Sequence, residues 1–568
     1  MNRIQFPILL LITLLVISCT THGYAAATQP SVLSKIEIMR LGERMYRNGI
    51  LPSGNTMEAY IRDDVEVDSS FFSCSSCHLR AGLGSYEGGV VTPPTTGIKL
   101  YKAYRRPPSM GDTADHAGRF IYAKTVVERP AYTRESLATA LRTGIDPAGQ
   151  VFNDVMPRYP LSDSDMFILI RYLEELSSEP SPGASSSEFR FATIISEDVS
   201  QEDRQALLLP LQRFIAQKNQ QMEMYNDFIK FGYAPTPEMK YAFRKASLDV
   251  WELKGAPETW QGQLAAYYKE KPVFAVLGGI SNRDWQPIHD FCEAERIPCL
   301  FPITDFPVVS ESGWFTYYFN KGYKQEGEAV ARYLNRLETL SVKTPILQII
   351  QDSPAGRALA AGFETNWKEL EQLAVATVTL TASQLADQKT LGNLLKKYKP
   401  GVLLLWTDAE LLPNLPNLIP KLAAPKMIFV SSTYMGKKTP NIEEAVRKNV
   451  YITFPYRLTP YVGPKTGGFD AKDPILTTAK DFGERRVASR TTTMLQQATL
   501  QGLNLIYDNL YRDHLFDVMS MQMDVVVRDY ERLSFGPGQR YTSKGCYIIQ
   551  LGPGSNPKLL PRSEWVIY

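Results

Sequence analysis

The stretch Cys74-Ser75-Ser76-Cys77-His78 is where residue types and spacing most directly imply chemistry in this 568-residue chain. Two thiols three positions apart sit on one side of a helical turn. They are then close enough to add to the two vinyl groups of one porphyrin, and the following imidazole projects at the iron. Read this way, the run attaches one covalent haem c through Cys74 and Cys77, with His78 as proximal axial ligand. A thioredoxin-like redox pair needs no trailing His and usually follows a strand. Half of a zinc site needs two further ligands nearby, which the sequence lacks.

A second axial ligand must come from elsewhere in the N-terminal region, which offers Met57, Met110, Met156, Met166 and His116. Met156 stands in Val155-Met156-Pro157-Arg158-Tyr159, a loop stiffened by proline just before a helical stretch. A soft thioether there suits an iron that changes oxidation state without rearranging, so Met156 is the expected distal ligand. Met166 falls on the helix and reads as core. His116 is the competitor, and bis-His ligation would lower the potential.

Two amphipathic helices must position this chemistry. Ser34–Gly49 carries Ile36, Met39, Gly42 and Tyr46 at helical spacing, and Ser162-Asp163-Ser164-Asp165 caps a second helix over Met166–Leu176. A first helix with Gly and then an aromatic four residues on, crossing a last helix with Tyr172, resembles the framework of class I cytochromes c. The resemblance implies an all-α domain over residues 28–178, with Gly42 allowing close helix approach. It also implies that a carbonyl in Pro93-Pro94-Thr95-Thr96-Gly97 accepts a hydrogen bond from His78 and so orients the ring. The runs Arg80–Ser85 and Glu87-Gly88-Gly89 read as Gly-rich backbone lying flat against the porphyrin.

The N-terminus reads as an export signal over residues 1–27: Arg3, the apolar run Phe6–Ile17, then small residues. Val16-Ile17-Ser18-Cys19 resembles a lipobox that would leave Cys19 lipidated, and Ala25-Ala26-Ala27 fits an ordinary cleavage site; both stay open. Either way the protein is expected in the periplasm, where covalent haem attachment takes place, with a lipid on Cys19 as its sole membrane link. Cys292, Cys299 and Cys546 remain, the first two as a short disulfide loop or as buried thiols. A net charge of +2 without a long basic run argues against nucleic acid as a partner.

Residues 179–188, Glu-Pro-Ser-Pro-Gly-Ala-Ser-Ser-Ser-Glu, have the composition of a flexible linker. Short apolar runs then alternate with helical stretches. The strand candidates are Phe189–Ile195, Leu248–Leu253, Val273–Leu277, Pro298–Phe301, Ile346–Ile350, Val375–Leu380, Val402–Trp406, Met427–Val430 and Val450–Phe454. A long helix is expected over Arg486–Leu510. Such βα alternation predicts parallel sheets, here in two lobes. Val273–Asn282, Ile297–Asp305, Trp314–Phe319 and Gln325–Leu334 together resemble type I periplasmic solute-binding proteins of the branched-chain-amino-acid-binding kind, over residues 189–568. The chain between its first strand and Leu248 is longer and more helical than that family usually shows.

Ligands of open α/β sheets bind beyond the carboxyl ends of the strands. That selects Gly279, Ser281, Asn282, Thr304 and Asp305 in the first lobe, and Asp352 and Asp408 in the second. Helix capping explains each Ser, Thr or Asp equally well when taken alone. The chain also lacks G-x-x-x-x-G-K-[ST], G-x-S-x-G and H-E-x-x-H. The expected protein is an exported monohaem cytochrome c that transfers one electron, fused to a module for a small organic solute and served by a redox partner such as a periplasmic dehydrogenase or terminal oxidase. The alternatives are an oxidoreductase passing electrons from a substrate in the cleft to haem, and a receptor of an ABC transporter.

Overall fold

The computed structural model describes residues 33–61, 64–87, 90–105, 128–232, 244–308, 310, 313–459, 484–536 and 540–567. The export segment with Cys19, and the candidate ligands Met110 and His116, lie outside the described residues. The chain divides into two compact units: Met1–His78 with Gly84–Leu176, and Leu79–Leu83 with Ser177–Tyr568.

The first unit is built on helix α1 (Lys35–Asn48), the single-turn helix α2 (Cys74–His78), α3 (Arg134–Thr143) and α4 (Asp163–Glu175). Ser34 caps α1 by accepting from the Glu37 amide, and Gly49 ends it in the left-handed conformation at φ 67°. Ser162 caps α4 in the same way. The helices α1 and α4 meet at Gly42, where a Cβ would lie 2.4 Å from the Tyr172 Cβ and 2.9 Å from the Ile168 carbonyl oxygen. The Tyr46 and Tyr172 rings lie 5.6 Å apart beside that contact. The close approach read from Gly42 is therefore present. The buried stripe of α1 is Leu41, Gly42, Met45 and Tyr46, whereas Ile36, expected on it, is 82% exposed.

The expectation of an all-α unit needs correction. Three antiparallel strand pairs accompany the helices: β1 (Glu58–Ile61) with β2 (Val65–Asp68), β3 (Ser85–Glu87) with β4 (Val90–Thr92), and β5 (Tyr104–Arg105) with β6 (Glu128–Arg129). Two to four residues per strand leave too little alternation for a periodicity argument to register.

In the second unit, β7 (Glu188–Ser196), β8 (Lys245–Leu253), β9 (Ala275–Leu277), β10 (Cys299–Leu300) and β11 (Thr316–Tyr317) form a parallel sheet of order β11-β10-β9-β7-β8. Between them run α5 (Gln201–Lys230), α6 (Trp260–Glu270) and α7 (Gln286–Ala294). After α8 (Tyr323–Arg336), a second sheet takes β12 (Ile346–Gln351), β13 (Ala376–Leu380), β14 (Val402–Trp406), β15 (Met427–Ser431) and β16 (Val450–Phe454) in parallel. Helices α9 (Pro354–Glu369) and α10 (Gln388–Tyr398) supply two of its crossovers. The closing strands β17 (Gly545–Leu551), β18 (Leu559–Pro561) and β19 (Val566–Ile567) are antiparallel. Near-continuous apolar runs such as Val402–Trp406 are buried on both faces, as a helix-covered parallel sheet requires. All nine expected strands form.

Two expectations change. The long helix stops at Ala498, giving α11 (Glu484–Ala498), and continues as a π-type turn over Thr499–Leu503 before α12 (Arg512–Ser520). A Cβ on Gly502 would lie 2.7 Å from the Leu515 Cδ1. Residues 179–188 are not a free connector either. The Ser181 amide donates to the Leu510 carbonyl, and Ser181 Oγ accepts from the Arg512 amide. The Arg512 guanidinium donates to the Pro182 carbonyl. Gly183, at φ 83°, packs where a Cβ would lie 2.1 Å from the Phe274 nitrogen. Pro, Ser and Gly here build a tight, tied turn, which has the same composition as a flexible link.

Candidate functional site

In the first unit Cys74 and Cys77 lie on one turn, half-buried and free. Burial pushes the Cys74 thiol up to about 12 and raises that of Cys77. His78 is buried. Its Nδ1 lies 2.7 Å from the Pro93 carbonyl oxygen, which fixes that nitrogen as the protonated donor, because a carbonyl can only accept. Burial lowers the imidazole pKa, and the bond to Pro93 partly offsets this. Nε2 is buried without a hydrogen-bond partner, a neutral acceptor nitrogen with nothing protein-derived to bind. Gly84, at φ 83°, allows Thr92 and Pro93 to come close: a Cβ would sit 2.2 Å from the Thr92 carbonyl oxygen. Tyr159, buried near both thiols, donates to the Phe72 carbonyl at 2.7 Å and secures the chain entering α2.

Met156 is half-buried and packs against the same core cluster as Cys74. Met57 and Met166 are fully buried core residues. Two thiols on one turn, an oriented imidazole and its unpartnered buried nitrogen form a donor set that fits covalent haem c, with Met156 in the same cluster. Among the described residues no group of three or more His, Cys, Asp or Glu side chains is arranged to hold a metal ion.

The segment after His78, expected to lie against a porphyrin, belongs to the second unit at Leu79–Leu83. The Arg80 and Ala81 amides donate to the two Asp517 carboxylate oxygens, at 3.0 and 2.8 Å. The Arg80 guanidinium pairs with Asp513 at 3.2 Å and lies 3.8 Å from the Trp314 ring centroid, a ring that Arg540 also approaches, at 4.2 Å. Asp517 is buried, and desolvation raises its pKa to about 6 despite those two amides. Gly88 and Gly89 lie outside the described residues.

At the carboxyl edge of the first sheet of the second unit, Ile280 bridges Ile303, so Ser281 and Thr304 stand side by side. Both side chains are locally engaged: Ser281 Oγ accepts from the Arg283 amide, and Thr304 Oγ1 from that of Phe306. Gly279, at φ 100°, lets its carbonyl accept from the Ile303 amide, and Asn282 donates to the Asp198 carbonyl. At the second sheet Asp352 pairs with Arg357, while Asp408 caps Glu410 and accepts from Gln351. Capping thus occupies most of these groups. Asp305 alone of the seven expected residues lines a cavity of about 320 Å³, with Asp284, Phe306, Lys321 and Lys324 beside it and α9 opposite. Lys321 stands in the turn between β11 and α8 and Lys324 in the first turn of α8, so neither directly follows a strand end.

His289 Nδ1 lies 3.1 Å from the Tyr318 hydroxyl, and burial holds His514 down to about 4. Cys292, Cys299 and Cys546 are buried free thiols. No described helix is long and apolar enough to cross a membrane.

The chain matches no family model and no curated protein. Among solved structures it is similar to an ABC-transporter solute-binding protein from R. palustris in complex with benzoate, at 10% identity and TM-score 0.42, over 67% of this chain and 97% of that one. A branched-chain amino acid ABC transporter protein from Thermus thermophilus with bound valine gives 11% and 0.46, over 67% and 97%. An ABC transporter substrate-binding protein from Sphaerobacter thermophilus gives 10% and 0.48, over 67% and 98%.

Proposed function

We propose that this is an exported solute-binding protein whose first unit carries one covalent haem c. Cys74 and Cys77 would hold the porphyrin, His78 and Met156 would ligate its iron, and the bound group would supply one-electron transfer to a redox partner protein. The observation that carries the reading is His78: Nδ1 is oriented by the Pro93 carbonyl while Nε2 is buried with no partner. A buried polar atom left unsatisfied costs about 1–3 kcal/mol, and a fifth ligand position on iron would remove that cost. The second unit supplies the receptor function, with a small organic solute taken at the carboxyl edges of its two parallel sheets.

The test is expression with the haem-attachment machinery, followed by haem staining on a denaturing gel. Wild-type protein stains, and Cys74→Ala/Cys77→Ala protein does not. Staining retained in the double variant, or absent from wild type, refutes the haem assignment. The second unit supports another reading on its own, a transport receptor in which the first unit has no redox role. A wild-type protein that binds a solute but carries no haem would establish it.

A further inference from the structure

Of the three cysteines in the second unit, two are brought together by the fold and one is set apart. Cys546 belongs to a small cluster with Ala329 and Val566, where its thiol donates to the Tyr547 carbonyl at 3.3 Å. Cys292 and Cys299 are both wholly buried in the cluster that packs α7 onto the first sheet, beside Trp285, Ile288 and Ile297. Cys292 stands in the last turn of α7, and Cys299 opens β10 between Val276 and Thr316 of the neighbouring strands. The chain between them folds back sharply. Arg296 takes the left-handed conformation at φ 53°, and the Ile297 amide donates to the Cys292 carbonyl at 2.8 Å. The Cys299 thiol is hydrogen-bonded to the Cys292 side chain, so the two sulfurs are in contact.

A pair of thiols held in contact needs only an electron acceptor to close, and an oxidising compartment supplies one. We infer that Cys292 and Cys299 are a modification site, closed to a disulfide in the exported protein, that staples the end of α7 to the start of β10. Each thiol gives up its proton as the S–S bond forms. The electron pair passes to the disulfide of an exported thiol–disulfide oxidoreductase, whose sulfurs take up the two protons and become thiols. Burial lifts the Cys299 thiol well above its ordinary range, so the folded pair has almost no thiolate with which to react. Exchange therefore precedes the packing of α7 on the sheet, and the same burial then shields the closed bond from reductants. The staple anchors the strand that runs on to Thr304 and Asp305, at the carboxyl edge of the sheet.

Trypsin separates the two cysteines, because Arg296 lies between them: residues 284–296 carry Cys292, and residues 297–321 carry Cys299. Full chain from the periplasmic fraction of an expressing cell is denatured, alkylated with iodoacetamide without reductant, digested and weighed by mass spectrometry. The expected product is the two peptides linked, lighter by two hydrogen atoms than their sum as thiols, and parted by prior reduction. Both peptides found single and alkylated, or either one linked to Cys74, Cys77 or Cys546, overturns the inference. Melting of the second unit in the full chain gives the other readout. A reductant should lower its transition by several degrees in wild type and leave that of Cys292→Ala/Cys299→Ala unmoved. A wild-type transition indifferent to reductant overturns the staple, and the mass measurement decides alone if the variant does not fold. The inference rests on export of the chain, which recovery in the periplasmic fraction checks separately from the bond.

Discussion

Asp517→Asn isolates a pH dependence that the fold writes into the second unit. Asp517 is buried, and desolvation lifts its carboxyl from 3.8 to about 6 although the Arg80 and Ala81 amides both donate to it. A rise of about two units corresponds to about 3 kcal/mol. The folded chain then holds this proton more tightly than the unfolded chain. Between about pH 4 and 6 the native state binds more protons, so stability falls as pH rises through that window and the loss is complete above it. The asparagine variant has no such titration, so the difference between variant and wild type isolates Asp517 from every other carboxylate. Calorimetric melting of the second unit in the full chain, from pH 4 to 7, reads this as a melting-point difference. That difference should grow by a few degrees in favour of the variant up to about pH 6 and then stay level. Curves that run parallel across the window would show that the Asp517 carboxyl titrates alike in both states, and the desolvation argument would fail.

Gly42→Ala should destabilise the first unit by about 1–3 kcal/mol, because its methyl would stand 2.4 Å from the Tyr172 Cβ; a melting transition unchanged by the substitution would contradict the packing of α1 on α4. Met156→Ala should abolish a weak sulfur-to-iron charge-transfer band in the far-red spectrum of the oxidised, haem-loaded protein and lower its potential; a band that survives assigns the distal position to another group, and a band absent from wild type moves His116 forward.

How much of this was legible in the sequence divides by the range of the interactions. Whereas the close helix crossing at Gly42 was implied by the cytochrome c resemblance, C-x-x-C-H, the caps Ser34 and Ser162 and the nine strand runs of the second unit are each written within a few residues. Such features depend on local sterics, hydrogen bonding and periodicity, which sequence carries directly. The five-residue run holding the acceptor for His78 was implied by the resemblance to class I cytochromes c, and the accepting carbonyl is that of Pro93.

Tertiary structure alone decided the rest. Arg80 and Ala81 find the Asp517 carboxylate more than 430 positions along the chain, so the residues directly after the C-x-x-C-H run are built into the second unit. Ser181–Gly183 have a linker's composition, and only Leu510, Arg512 and Phe274 make them a fixed turn. Arg490, inside an apparently ordinary helix, is buried against Phe319 with Asp305 and Asp529 near it, partners from both sides of it in the chain. Buried charge must be compensated by whatever the fold brings near it, and those partners leave no spacing signature in the sequence.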